Sequence, residues 1–128
     1  MMGRMTISIH PAVLVPALLL WGAANVVSQP PATQRIPQFE NDQVAVWRTT
    51  ILPKAPLAMH THDHPRVIVA LSGGDMKIVY ADGGSQNEHW DTGKAYWLSL
   101  EEGKRRHADS NQGDKPIDVM VVELKKAN

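Results

Sequence analysis

Three histidines alternate within one short segment, at His60, His62 and His64 between Met59 and Pro65. In an extended strand, side chains two residues apart point to the same face, so this spacing predicts that the three imidazoles project together. Imidazole nitrogen binds Zn, Fe, Ni, Cu and Mn, and two rings on one strand can share an ion. The segment is therefore a candidate metal site.

A single metal ion needs at least one further ligand from another part of the chain. His107 is the candidate, because it lies in a second polar stretch, residues 104–109, within another turn-bounded segment. The alternative is that His60 and His62 form only a solvated pair on a surface strand. The spacing alone leaves both interpretations open.

The elements that must position these histidines are short β-type runs separated by turn residues. They cover residues 44–52, 67–71, 76–80, 87–91, 95–100 and 117–124. Six or more short strands with turns about every ten residues indicate an all-β sandwich or barrel. No helical period is evident after residue 29. The turn from Ser72 to Asp75, with Gly73 and Gly74 at its centre, predicts a hairpin between two of the strands.

Residues 1–28 have the order of a secretory signal peptide. Arg4 supplies a positive charge, an apolar run extends from Ala12 to Ala24, and small residues follow up to Ser28. The run is shorter than the roughly 20 apolar residues that a membrane span needs. We therefore expect cleavage near Ser28 and export, to the periplasm or out of the cell, without stable membrane association afterwards. The alternative is an uncleaved membrane anchor.

The remainder of the chain predicts a leader and one domain. Residues 29–42 begin with a stretch rich in Pro, Gln and Thr and predict a flexible leader, and residues 43–126 predict a single β-barrel. The chain has 13 basic and 13 acidic residues, and loss of Arg4 leaves 12 basic ones. Nucleic acids and membrane surfaces both favour basic partners, so this balance argues against either.

Residues 60–73 resemble the first motif of the cupin superfamily, which has His-X-His, an acidic ligand, an apolar strand and a Gly. Residues 93–111, with Gly93, Gly103, His107 and Asn111, resemble its second motif more loosely. The resemblance covers about residues 43–124 and implies a double-stranded β-helix, the jelly-roll barrel of cupins. It also implies one divalent metal ion (Fe, Zn, Mn or Ni) with His60, His62 and His107 as ligands.

Arg66 occupies the position at which cupins have their acidic ligand, and a guanidinium has no lone pair for a metal. Three accounts are open. His64 completes an all-histidine site; Arg66 faces the pocket and binds an anionic group of the substrate; or Pro65 breaks the register and turns Arg66 to solvent. A fourth account is that the metal site has been lost.

The resemblance implies a metal-dependent oxygenase or isomerase-like enzyme acting on a small polar or anionic molecule. In that function Arg66 contacts the substrate, and His64 is a fourth ligand or a proton carrier near neutral pH. The alternative is a non-catalytic module that binds a small ligand and has a structural metal or none. The apolar final run, residues 119–124, also predicts pairing with the sheet of a second copy, as a homodimer.

Overall fold

The computed structural model of the chain describes residues 32–126. This part forms eight strands and one short helix, which confirms the all-β class predicted from the sequence. In chain order the elements are β1 (Gln34–Glu40), β2 (Val44–Ile51), β3 (Arg66–Ser72), β4 (Gly74–Tyr80), β5 (Ser85–Trp90), β6 (Ala95–Leu98), α1 (Leu100–Lys104), β7 (His107–Asn111) and β8 (Ile117–Leu124). The predicted signal peptide, residues 1–28, lies outside the described residues.

The strands form two antiparallel sheets that face each other. The larger has the order β1-β2-β8-β3-β6, and the smaller has the order β5-β4-β7. Alternate residues of β8, namely Ile117, Val119 and Val121, are buried between the sheets, as the period of two in a strand requires. Met76 and Trp90 complete this core from the smaller sheet.

Strand β1 corrects the prediction of a flexible leader over residues 29–42 where it covers residues 34–40; residues 29–31 lie outside the described part of the chain. Gln34–Glu40 pairs antiparallel with β2, with a register shift between Pro37 and Phe39. All seven residues of β1 are exposed, including Ile36 and Phe39. Backbone pairing holds the strand, with a side-chain contact from Arg35 to Trp47. None of its side chains is buried, so it has no alternation of apolar and polar residues by which the sequence could indicate it.

The turn from Ser72 to Asp75 does not form the predicted hairpin. Strand β3 pairs with β6 and β8, whereas β4 pairs with β5 and β7, so this turn takes the chain from one sheet to the other. Gly73 is required by close approach, because a Cβ there would overlap the carbonyl oxygen of Trp90. Glycines occur in connections between two sheets as well as in tight hairpin turns within one sheet. The sequence does not distinguish these two cases.

Strand β8 corrects the expectation that the final strand extends a partner's sheet. It lies at the centre of the larger sheet, between β2 and β3, and both of its edges are used. The edges of that sheet are β1 and β6. Strand β8 therefore offers no free edge to a second copy of the chain.

The helix α1 was not expected from the sequence. Its N-cap Ser99 accepts a hydrogen bond from the backbone of Glu102, whose side chain accepts one in return from the backbone of Ser99. This capping box satisfies two otherwise free donors and is visible in the sequence as Ser-X-X-Glu. Within residues 32–126, no helix has the length and apolar character needed to cross a bilayer.

Candidate metal centre

His60 and His107 come together because their backbones pair. The amide of His60 donates to the carbonyl of His107 at 2.8 Å, and the amide of His107 donates back at 3.0 Å. This isolated antiparallel bridge joins the segment before β3 to the first residue of β7. The two side chains leave the paired backbones on the same side, and their ring centroids are 4.6 Å apart.

His62 is placed by a backbone contact to the end of α1. Its amide donates to the carbonyl oxygen of Gly103 at 2.8 Å. The ring of His62 then lies 4.8 Å from that of His60 and 5.6 Å from that of His107, measured between centroids. One nitrogen from each ring can be chosen so that all three lie within 4.8 Å of one another. The structure thus brings together the three residues that the resemblance to cupins implied.

Backbone carbonyls orient two of the three rings. Nδ1 of His60 lies 2.7 Å from the carbonyl oxygen of Ala58, and Nδ1 of His107 lies 2.6 Å from that of Arg105. A carbonyl can only accept, so we assign the proton of each neutral ring to Nδ1. The lone pair is then on Nε2 and is free for a metal. The donor set therefore fits a divalent ion of the kind that imidazole binds.

His62 is held in its neutral form. Burial, and to a smaller extent the positive charge of Arg66, lower the pKa of His62 to about 3. At neutral pH one of its two ring nitrogens is therefore unprotonated, so a metal ion does not have to displace a proton from it. A neutral imidazole is the form that binds a metal ion.

A pocket of about 100 Å³ lies beside the histidines and between the two sheets. His60, His62 and His107 are part of its wall. Much of the remaining wall is apolar and includes Trp47, Ile68, Trp90, Leu98 and Val121. A small molecule in this pocket would therefore meet the three imidazoles on one side and aromatic and aliphatic side chains on the others.

His64 does not join the cluster. The chain bends at Asp63 and His64 instead of continuing as a strand, so the predicted common face ends at His62. His64 is neither in the group of three nor in the lining of the pocket. The account in which His64 completes an all-histidine ligand set is therefore wrong for this arrangement.

Arg66 faces the interior. It is 3% exposed and lines the pocket, so the account in which Pro65 turns it to solvent is wrong. Arg66, Ile68 and Ala70 are alternate residues of β3 and are all buried, which places the guanidinium on the inner face of the larger sheet. The position is that of the acidic ligand in cupins, but the residue cannot bind a metal.

Apart from Glu102, which caps α1, three charged residues of the pocket were not singled out from the sequence. Asp109 is two residues after His107 on β7, and its Oδ2 lies 3.9 Å from Nε2 of His60. Glu88 accepts a hydrogen bond from Nε1 of Trp90, and burial raises the pKa of its carboxyl. Arg35, on β1, places its guanidinium 3.6 Å from the ring of Trp47. Only Asp109 could have been found, from its spacing of two after His107.

No family model and no curated protein matches this sequence. Solved structures do match its fold. A cupin domain from Bordetella pertussis Tohama I is 20% identical, with a TM-score of 0.66 over 77% of this chain and 98% of that one. A protein from Klebsiella pneumoniae with a double-stranded β-helix domain is 18% identical, with a TM-score of 0.57 over 77% and 81%.

A third similar structure has the same kind of fold. An RmlC-like cupin family protein from Methanocaldococcus jannaschii, also with a double-stranded β-helix fold, is 11% identical, with a TM-score of 0.56 over 73% of this chain and 80% of that one. At such identities the likeness concerns the fold alone. What this chain binds must be argued from its own residues.

Proposed function

We propose that this chain, which has the double-stranded β-helix fold of the cupin superfamily, binds one divalent metal ion through His60, His62 and His107. One observation carries the proposal: nitrogens of the three imidazoles lie within 4.8 Å of one another in the wall of a pocket. Folding does not require three imidazoles from two separated segments to converge, whereas binding of one metal ion by all three does.

The ligand set suits Fe, Zn, Mn or Ni. Three protein ligands would leave coordination positions for a small molecule, and all three histidines line the pocket. A metal ion bound there would supply Lewis-acid or redox chemistry to a small molecule. The chain's own contribution is to hold the ligands in place and to exclude water with the aromatic walls, including Trp47 and Trp90.

We favour a metal-dependent enzyme with a small-molecule substrate, of the oxygenase or isomerase-like kind that the resemblance to cupins implies. The second candidate is a non-catalytic binding module with a structural metal. It is favoured by Asp109, whose carboxylate lies 3.9 Å from Nε2 of His60 and could close one coordination position. Replacement of the metal by Co²⁺ separates the two candidates, because only an open site changes its visible spectrum when azide is added.

Metal titration tests the site directly. We expect the purified protein, freed of metal with a chelator, to bind one equivalent of Zn²⁺ or Mn²⁺ in calorimetry. The double variant His60→Ala/His62→Ala should bind neither ion detectably. His64→Ala is the matched control, because His64 is in the same segment but outside the group of three, and it should bind like the wild type.

The result that would contradict the proposal is equal metal binding, or equal absence of binding, in the wild type and the double variant. Thermal unfolding of both metal-free proteins checks that the double variant is folded. Loss of binding with a preserved unfolding transition assigns the effect to the ligands and not to the fold.

We also propose that the chain is exported and acts in the periplasm or outside the cell. The support is the order of Arg4, the apolar run from Ala12 to Ala24, and the small residues up to Ser28. Sequencing the N-terminus of protein recovered from a periplasmic or culture fraction should give a start near Gln29. Recovery of the full-length chain from the membrane fraction would favour the uncleaved anchor instead.

A further inference from the structure

Arg66 is a buried charge without a partner. It is 3% exposed, and its Nη1 has no hydrogen-bond partner among the described residues. None of the ion pairs found within residues 32–126 includes it. A guanidinium stays charged and has five donors to satisfy. Burying a guanidinium without a partner is strongly destabilising, so this position favours an anionic ligand.

The guanidinium lies next to the candidate metal ligands. Nη1 of Arg66 and Cβ of His62 are 2.7 and 2.9 Å from the point at which a Cβ on Gly103 would stand. Both atoms therefore lie within 3 Å of one point beside α1. Because Arg66 and the three histidines line the same pocket, one small molecule could contact both.

The chain's own carboxylates do not serve as this partner. Asp109, Glu123 and Glu102 are near enough to favour the charged form of Arg66, but none comes within 4.0 Å of it. Two of them are closer to histidines: Asp109 lies 3.9 Å from His60, and Glu123 lies 3.7 Å from His62. Arg66 therefore forms no ion pair with these carboxylates, and it lines the pocket.

The charge of the pocket selects the kind of anion. The charged residues in its wall are Arg35, Arg66, Glu88, Glu102 and Asp109. Two cations and three acids give a formal charge of −1 with the histidines neutral, and a divalent ion changes this to +1. A monoanion then balances the charge of the wall, whereas a dianion such as phosphate exceeds it; the negative charge of Glu123, near Arg66 but outside the wall, disfavours a dianion further. The apolar walls at Trp47 and Trp90 fit an organic body and not a free inorganic ion.

We propose that the pocket binds a small organic carboxylate, with its carboxylate on Arg66 and its apolar body against Trp47 and Trp90. The inference rests on the proposed metal site for the sign of the pocket's charge, while the contact with Arg66 stands independently of the ion. A guanidinium matches a carboxylate with two parallel hydrogen bonds, which makes such a pair strong as well as oriented. Where cupins have an acidic residue that binds the metal, this chain has Arg66, which would bind the acidic group of a small molecule.

Binding of benzoate tests the proposal, with benzamide as a neutral probe of the same shape and inorganic phosphate as a dianion. Calorimetric titrations use both zinc-loaded and metal-free protein. We expect benzoate to bind the zinc-loaded protein, and benzamide and phosphate to bind about tenfold more weakly or worse. Quenching of the fluorescence of Trp47 and Trp90 gives a second readout from inside the pocket.

The variant Arg66→Met removes the charge and keeps an apolar side chain of similar length. We expect it to fold, since replacing a buried charge with an apolar group is often neutral or stabilising. It should bind benzoate about 10 to 100 times more weakly than the wild type. Arg48→Met is the matched control, because Arg48 is an exposed arginine outside the pocket, paired with Asp118, and its loss should leave benzoate binding unchanged.

The outcomes separate this inference from the metal site. Failure of zinc to bind removes the proposed function, but Arg66-dependent binding of benzoate to the metal-free protein still supports the subsite. Equal benzoate binding by the wild type and Arg66→Met, or none by the wild type in either form, overturns it. Should Arg66→Met not fold, the ¹⁵Nε resonance of Arg66 in the wild type decides: a shift with benzoate but not benzamide supports the subsite, and no shift overturns it.

Discussion

His60 and His107 are hydrogen-bonded to each other through their backbones in both directions, and their rings lie 4.6 Å apart. The same contact therefore joins two distant segments and positions two of the three candidate metal ligands. A metal ion bound by the rings would reinforce the backbone bridge beneath them. Folding of this part of the molecule and metal binding should consequently be coupled.

Hydrogen exchange measured by NMR can test this coupling. If the local unfolding that exposes the amides of His60 and His107 also breaks the metal site, bound metal should slow their exchange. At a metal concentration about 100 times Kd, we expect exchange about a hundredfold slower than in the metal-free protein. The amide of Gln112, which donates to Asp75 away from the pocket, serves as the control and should change little. Unchanged protection at both histidines in protein with bound metal would refute the coupling.

Asp109 is expected to strengthen metal binding, because its carboxylate lies 3.9 Å from Nε2 of His60 and faces the same pocket. The isosteric variant Asp109→Asn removes the charge and should lower the affinity for Zn²⁺ about tenfold or more, measured by competition with a chromophoric chelator. The exposed Asp63 lies beside His62 in the sequence, so Asp63→Asn is the control and should bind like the wild type. Equal affinities for the two variants would assign Asp109 no part in the site.

Gly103 leaves room for both Arg66 and His62. In Gly103→Ala the new methyl group would stand 2.7 Å from Nη1 of Arg66 and 2.9 Å from Cβ of His62. The cost of this overlap, about 1–3 kcal/mol, should exceed the gain in helix propensity of at most about 1 kcal/mol. Urea unfolding should therefore show a less stable protein, and calorimetry a weaker affinity for Zn²⁺.

A neighbouring position of the same helix provides the comparison. Glu101 is exposed in α1, so Glu101→Ala should change the stability by less than about 0.5 kcal/mol. A Gly103→Ala protein as stable as Glu101→Ala would mean that Arg66 and His62 can move aside without cost.

Metal-free protein should lose stability as the pH falls below neutrality, in part through His62. Its pKa is about 3 in the folded protein against 6.5 in the unfolded chain. Between these values only the unfolded chain takes up the proton, so acid favours unfolding, by at most about 2 kcal/mol at pH 5. Urea unfolding at pH 7.5 and pH 5 should show a smaller difference for His62→Gln than for the wild type.

His89 provides a control of opposite sign. A hydrogen bond to Asp75 raises the pKa of the exposed His89 in the folded protein. The stabilisation from this pair is therefore present below the pKa that His89 has in the unfolded chain, and it is lost as the pH rises through the pKa in the folded protein. His89→Gln should therefore make the loss of stability toward pH 5 larger, not smaller. If His62→Gln and His89→Gln change the pH dependence of stability in the same direction, burial of His62 is not the cause of the stability loss in acid.

Most of the strands could be predicted from the sequence, whereas β1 could not. Short β-type runs bounded by turn residues identified β2, β3 and β8, because strands that pack against a core are rich in apolar and β-branched residues. Strand β1 buries no side-chain face, and its existence depends on backbone pairing with β2. The turn at Gly73 was found, but its partner strands were not, because pairing between distant segments is a property of the whole sheet.

The candidate site divides in the same way. The spacing of His60 and His62 is local, and the sequence by itself identified the pair and offered His107 as a further ligand, while the cupin fold came from the resemblance of two motifs. Only the tertiary structure decided that His64 lies outside the group, because the chain bends at Asp63, and that Arg66 lies inside.

The direction of Arg66 shows why folding had to decide. A sequence specifies that residue 66 is a permanently charged side chain, which by itself favours solvent. In the folded protein Arg66 is the first residue of β3, in register with buried Ile68 and Ala70, so the strand turns its side chain inward despite its charge. The sequence therefore determines the positive charge of residue 66, whereas the position of this charge beside the histidines follows from the packing of the two sheets.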